Sequence, residues 1–226
     1  MLISIPNLLN PEQLTEIRQI LDSTDWQDGR LTVGTQAATV KRNRQLPEGS
    51  ESLAHIRAIV TQALGNSALF FSAALPLKLL PPFVNRYEGD ENYYGNHIDN
   101  AMRSHPKGGF VRADLSATLF FSEPDEYDGG ELVIEDTFGT QRIKLQAGSM
   151  VLYPGSSVHQ VTPVTKGCRL ASFMFIQSMI RSDANRRILF EMDTAISALR
   201  QRHGESDELV RLTGSYHNLL RAWADS

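Results

Sequence analysis

Apolar positions along the chain change period twice. Near the start they recur at helical spacing. Leu14, Ile17, Ile20 and Leu21 follow an Asn10-Pro11 opening, with Gln13 in the capping-box position. Leu53, Ile56, Val60 and Leu64 mark a second helix from about Ser50 to Leu64, closed by Gly65-Asn66. From about residue 80 short β-rich runs take over: "PPFVNRY", "DLSATLFF", "GELVIE", "TQRIKL", "SMVLYP", "HQVTPV" and "CRLASFMFIQ". Turn signals separate them at Asp128-Gly129-Gly130, Phe138-Gly139, Pro154-Gly155 and Lys166-Gly167. Many short strands at this spacing predict a sandwich or barrel rather than a parallel α/β sheet. After Ser182 the helical period returns. One stripe is Ile188, Leu189, Met192, Ile196 and Leu199; after a break at His203-Gly204 a second is Leu209, Leu212, Tyr216, Leu219, Leu220 and Trp223. Such stripes are read as core rather than as a ligand groove. The predicted class is mainly β with flanking helices (α+β), divided into a domain at 1–182 with N-terminal helices and a two-helix module at 183–226.

Composition narrows the function classes. With 226 residues and 41% hydrophobic content, a full core is expected. The net charge of −4 comes from interspersed acids and bases, with no basic stripe, so no nucleic-acid partner is expected. A single cysteine, Cys168, excludes an internal disulfide framework and cysteine metal clusters. The N-terminal residues lack signal-peptide character, and the most apolar stretch, "ALFFSAALPLKLLPP", is broken by Pro76, Lys78 and Pro81. A cytoplasmic protein without a membrane partner is expected.

Candidate chemistry centres on "YYGNHIDNAM", residues 93–102. Side chains two apart on a strand share a face, so His97 and Asp99 should point the same way. His159 follows the turn "PGSS" and opens a strand, which makes it the candidate third ligand. Two imidazoles and one carboxylate on one side of a metal form the facial arrangement of non-haem Fe(II) oxygenases. Arg169, ten residues beyond His159, shares a face with Ala171 and Phe173. A hairpin around Thr165–Gly167 would put it on the strand neighbouring His159. A guanidinium in an apolar interior requires an anion: a core acid, or a diacid co-substrate bound at its far end. His55, His203 and His217 lie on predicted helices and His105 in a "SHPKGG" loop; all four are read as packing or solvated residues.

The order H-x-D, a distant histidine and then arginine at +10 resembles the Fe(II)/2-oxoglutarate dioxygenases of the prolyl 4-hydroxylase type. "NRYEGDENYYGNHIDN", "DLSATLFFSEPDEYDGGELVIEDTFG", "AGSMVLYPGSSVHQVTPVTKGCRLASFMFIQSMIR" and the helical tail resemble the bacterial PKHD-type hydroxylases. The resemblance covers nearly the whole chain. It implies a double-stranded β-helix (jelly roll) core, Fe(2+) on His97, Asp99 and His159, 2-oxoglutarate on Arg169, and L-ascorbate as a supporting reductant. The implied reaction couples decarboxylation of 2-oxoglutarate to succinate with hydroxylation of a substrate C–H bond by O2. Asp99, where a halogenase would need space for a halide, favours hydroxylation. One departure is that the strand after H-x-D reads Thr118-Leu119-Phe120-Phe121, without the tyrosine some relatives use on the far carboxylate. Thr118 or another hydroxyl would then assist Arg169. Tyr87, ten before His97, matches a position that lines the co-substrate pocket in related enzymes.

The family label suggests a prolyl- or lysyl-like substrate, peptidyl or small, and family association with iron uptake adds a siderophore-like molecule. A homo-oligomer is compatible with the unpaired stripes of the tail. "TVGTQAATVKRNRQL" at 32–46 precedes the barrel as a substrate-side segment, with Lys41, Arg42 and Arg44 read as a solvated edge. Rival functions are a non-catalytic metal or small-acid binding module on the same barrel, a partner-binding protein acting through its tail, and a zinc hydrolase, for which no H-E-x-x-H is present.

Overall fold

Two antiparallel sheets pack face to face and hold a cavity between them. The computed structural model describes residues 1–32, 38–136 and 139–225. Phe138 of the expected turn and residues 33–37 of the 32–46 segment lie outside the described residues.

Among the described residues the major sheet has eight strands. Its main path runs β1 (Ile3–Ile5), β14 (Met150–Pro154), β10 (Leu115–Phe120), β17 (Arg169–Ser178), β6 (Phe83–Tyr87), β4 (Arg44–Gln45) and β2 (Gln27–Asp28), and β5 (Pro76–Leu79) also pairs with β17. The minor sheet runs β13 (Gly139–Ile143), β12 (Leu132–Asp136), β15 (His159–Val161), β7 (Tyr93–His97) and β3 (Lys41–Arg42). Two small ribbons flank them: β8 (Met102–Ser104) with β9 (Phe110–Arg112), and β11 (Tyr127–Gly129) with β16 (Val164–Gly167). The mainly β class with flanking helices and the jelly-roll arrangement follow, with sheets that are not closed into a barrel.

Helices cover the outer face of the major sheet. α1 (Pro11–Asp22) starts on the Asn10–Gln13 capping box, and α2 (Glu51–Gly65) is capped by the Ser50 side chain. Between α2 and β5 lies a short helix the pattern did not predict, α3 (Ala68–Ala74). Ile17, Leu21, Leu53, Ile56 and Val60 pack in one cluster with Leu115, Leu119, Leu152 and Met174 of the sheet. The sheet is therefore covered on both sides, and all six residues of β10 are buried. Alternate residues serve different layers: Leu115 and Leu119 face the helices, whereas Ser116 and Thr118 reach the cavity.

α4 (Asp183–His203) and α5 (Asp207–Trp223) form the C-terminal hairpin. Leu189, Ile196, Leu209 and Tyr216 bury against Leu75 and Ile180. The stripes were drawn too wide, because Ile188, Leu199 and Leu212 are exposed. A helix packed on one side buries a band narrower than five residues in every two turns. Buried Arg186 fastens the start of α4: Nη1 donates to the Ile180 carbonyl at 2.8 Å and Nη2 to Asp183 at 2.6 Å.

Candidate active site

Register brings the first two residues together. In the β15–β7 pair, His159 lies directly opposite His97, and the ring centroids are 4.2 Å apart. Each ring is oriented through the carbonyl two residues before it. His97 Nδ1 donates to Gly95 O at 2.8 Å and His159 Nδ1 to Ser157 O at 3.0 Å. A carbonyl only accepts, so each Nδ1 carries a proton, which leaves Nε2 as the nitrogen that can offer a lone pair to a metal. Burial, then the neighbouring His159, pushes the His97 imidazole down to about 4, so it is neutral near pH 7.

Asp99 reaches the pair differently from the expectation. β7 ends at His97, so Asp99 lies beyond the strand; Ile98 turns outward, 54% exposed, and Asp99 turns inward. Ser116 of β10 donates to Asp99 Oδ2 at 2.6 Å and fixes the carboxylate. Asp99 Oδ2 is 3.7 Å from His159 Nε2, too long for a hydrogen bond, and one donor atom from each of the three residues lies within 4.8 Å of the others. A hard carboxylate and two imidazoles gathered within 4.8 Å of one another fit a ferrous ion. His55, His105, His203 and His217 are not part of this group; His55 pairs with Glu16 at the surface.

Arg169 enters from the opposite sheet. The expected hairpin with the His159 strand does not form, because residues 164–167 pair with β11 instead. Gly167 permits this crossing: φ is +75°, and a Cβ would lie 2.0 Å from the Glu126 carbonyl. Arg169 then starts β17 in the major sheet, directly opposite Tyr87 of β6. Its guanidinium carbon is 5.4 Å from the Tyr87 ring and 5.1 Å from that of Phe120. The residue is 1% exposed, and among the described residues its Nε and Nη2 have no hydrogen-bond partner. A buried cation of this kind fits the free carboxylate of a dicarboxylic co-substrate. Tyr87 is fully buried, which pushes its phenol up, and its oxygen accepts from Asn85 Nδ2 at 3.2 Å. His97, Asp99, His159, Arg169, Tyr87 and Thr118 all line one cavity.

Sequence reasoning missed other lining residues. Lys41, read as a solvated edge, is 1% exposed and lines the cavity; Arg42 and Arg44 are less buried. β3 is an edge strand, but Lys41 pairs with Tyr94 of β7 on the cavity side. Tyr94 stacks on His97 with centroids 3.6 Å apart. Tyr153, edge-on to His159 at 5.1 Å, is driven well above the usual phenol range by burial and by Asp99. Arg103, four residues past Asp99, also lines the cavity; it and Tyr94, three before His97, are residues of this group that proximity to the motif could have flagged.

Residues 82–177 match the model of the 2OG-Fe(II) oxygenase superfamily, and residues 183–225 match that of the PKHD-type hydroxylase C-terminal domain. A PKHD-type hydroxylase of Nitrosomonas eutropha is 60% identical over 100% of both chains, and one of Azoarcus sp. is 57% identical over 100% of both. The chain belongs to the PKHD-type hydroxylases. It is an Fe(II)- and 2-oxoglutarate-dependent oxygenase by family, and its substrates include O2. The fold is also that of a Pseudomonas putida prolyl-4-hydroxylase, with TM-score 0.51 and 18% identity over 78% of this chain and 92% of that one. A Trichoplax adhaerens prolyl hydroxylase, solved with a hypoxia inducible factor peptide fragment, gives TM-score 0.55 and 17% identity over 83% of this chain and 86% of that one. Among the described residues no helix is long and apolar enough to cross a membrane.

Proposed function

We propose that this PKHD-type hydroxylase holds Fe(2+) on His97, Asp99 and His159 and 2-oxoglutarate on Arg169, and hydroxylates a C–H bond of a prolyl-, lysyl- or siderophore-like substrate. The observation that carries the reading is the Arg169 guanidinium, buried without hydrogen bonds on two of its nitrogens in the cavity that the three ligand residues line. When bound, ferrous ion and 2-oxoglutarate supply, with O2, the oxidising power for that C–H bond, and succinate and carbon dioxide are the co-products.

The chain's own contribution is positional. Gly95 and Ser157 carbonyls hold both imidazoles with Nε2 forward. Ser116 keeps one Asp99 oxygen from rotating away. Arg169 would hold the far carboxylate of the co-substrate, with Tyr87 against the guanidinium and Thr118 lining the same cavity. Leu132, Val161 and Phe173 add apolar surface to the same cavity, and an ion pair is stronger in less polar surroundings. L-Ascorbate is the supporting reductant in this reading, and a role in iron uptake is its physiological setting. Residues 1–182 are the catalytic domain and 183–226 a helical module docked on it.

Purified protein with Fe(2+), 2-oxoglutarate and O2 should release succinate, and Asp99→Ala should not. Succinate release at an equal rate from Asp99→Ala would remove the ligand assignment.

A further inference from the structure

A groove runs beside the cavity and has no part in holding the metal or the co-substrate. Leu80, Pro81, Met102, Ser104 and Pro106 line it, and it meets the cavity at Phe83 and Arg103, which line both. Neither Arg169 nor any of His97, Asp99 and His159 lines the groove. Arg57 and Glu48 also line it, but they satisfy each other at 2.6 Å. What the groove offers an occupant is therefore apolar surface and, along one side, backbone.

That side is the edge of a strand. Met102, Arg103 and Ser104, the whole of β8, all line the groove. A sheet face presents only every second side chain, so three consecutive residues mean that the groove follows the strand's edge. Among the described residues β8 pairs with β9 alone. The bonds between them are placed by the flanking pairs: His105 N–H donates to Gly109 O at 3.0 Å, and Ala113 N–H to Ala101 O at 2.9 Å. In an antiparallel pair such bonds recur at every second residue, so Arg103 turns its N–H and C=O towards β9. Met102 and Ser104 then turn theirs outward, and among the described residues these four groups have no hydrogen-bond partner. Both side chains are exposed, whereas that of Arg103 stacks on Phe175 at 4.0 Å.

We infer that the substrate is a polypeptide segment bound in extended conformation as an added strand on β8, with its target side chain passing Phe83 and Arg103 into the cavity. The inference rests on the proposed function and chooses among its substrate classes. An extended backbone presents N–H and C=O groups at the spacing that Met102 and Ser104 leave open, and a compact small molecule has no such ladder. Successive side chains of a strand point to opposite sides, so one can enter the cavity while its neighbours stay outside it. Leu80, Pro81 and Met102 supply the apolar surface beside that strand. An edge of three residues, with an arginine at its centre and Pro106 two residues on, is too short and too interrupted for open-ended pairing between copies of the chain.

The test uses full-length protein with Fe(2+), 2-oxoglutarate and O2. The probes are acetylated heptapeptide amides with proline or lysine fixed at the centre and the other positions randomised. N-acetylprolinamide and N-acetyllysinamide carry the same side chains on a single residue. Library peptides should gain one oxygen atom by mass spectrometry and raise succinate release about tenfold or more above the single-residue probes. Ser104→Pro removes one outward N–H and leaves the bonds to β9 in place, since an edge strand accepts proline where its N–H faces outward. It should lower library-dependent succinate release by about tenfold, and Ser104→Ala should not. Both variants should keep wild-type affinity for 2-oxoglutarate, which also shows that they are folded. A library methylated on the backbone nitrogens flanking the centre tests the same bonds from the peptide side and should react about tenfold more slowly with the wild type. If the library does no better than the single-residue probes, or if Ser104→Pro handles it as the wild type does, the inference is wrong. If Ser104→Pro loses 2-oxoglutarate, the methylated library decides, and an unchanged rate with it overturns the inference. Failure of the wild-type protein to bind 2-oxoglutarate at all would overturn the proposed function instead, so the two failures are distinguishable.

Discussion

Ser116 and Asp99 are joined by a 2.6 Å hydrogen bond from the hydroxyl to Oδ2. The bond links the two sheets, since Ser116 is on β10 of the major sheet and Asp99 follows β7 of the minor one. It orients a carboxylate that lies outside any strand and so has no ladder of its own to hold it. Such outer partners commonly account for 10–100-fold in metal affinity. Ser116→Ala should therefore weaken Fe(2+) binding by about tenfold without unfolding the protein. Competition against a colorimetric chelator measures this, and unchanged affinity would show that Asp99 needs no such support.

The ligand residues themselves should behave as a set. Asp99→Ala, His97→Ala and His159→Ala should each lower Fe(2+) affinity far more than Ser116→Ala and abolish succinate formation. His55→Ala and His217→Ala, both at exposed positions, should leave metal binding unchanged. Equal loss across all five variants would indicate general destabilisation rather than a metal site.

This grouping was legible in the sequence because its residues are close along the chain or fall at strand starts. His97 and Asp99 are two apart, and His159 and Arg169 each open a strand. Lys41 and Ser116 were not legible as site residues, and Arg103 was legible only through its closeness to Asp99. Lys41 and Ser116 reach the cavity only through sheet pairing and packing, and no local period encodes which face of an edge strand such as β3 turns inward. The same limit explains the placement of Arg169: the residue lines the cavity, but from the major sheet rather than from the strand beside His159. α3 escaped notice because its seven residues, all apolar but Ser72, carry no polar face to mark a helical period, although Leu69 and Phe71 are exposed. Ile188, Leu199 and Leu212 show the reverse, apolar residues at helical spacing that the packed structure leaves exposed.

The tail should be inseparable from the body. Leu189, Ile196, Leu209 and Tyr216 share one cluster with Leu75 and Ile180. Asp225 accepts from Arg112 at 3.1 Å, and the N-terminal ammonium donates to Asp183 at 2.7 Å. Truncation after Arg181 should expose that cluster and give aggregating protein. Leu189→Ala, a milder change in a fully buried position, should cost about 2–5 kcal/mol in urea unfolding. A soluble, fully active truncation would show the helices to be dispensable.

Acid should destabilise the metal-free protein through His97. Its folded value near 4 lies below the ordinary histidine value of 6.5, so between these pH values the unfolded chain binds the extra proton. Stability then rises with pH across that window: it falls as pH drops from about 6.5 towards about 4 and changes no further from this cause below it. The effect is on the order of 2–3 kcal/mol for one such group. Urea midpoints of metal-free wild type and His97→Gln at pH 7 and pH 4.5 isolate it. The wild type should lose more stability than the variant, and equal losses would place the acid sensitivity elsewhere.

In the proposed function Arg169 is the anion-binding group that makes a metal site into a 2-oxoglutarate oxygenase. Arg169→Met keeps the length and apolar fit of the side chain and leaves the metal ligands untouched. The far carboxylate would then be buried without its cation, at a cost of about 3–5 kcal/mol. Anaerobic titration of 2-oxoglutarate into the Fe(2+) protein, followed through the metal-to-ligand absorption band, measures this directly. Fe(2+) binding should be unchanged and the co-substrate dissociation constant raised roughly a hundredfold to several thousandfold. An Arg169→Met curve that overlays the wild type would contradict that role.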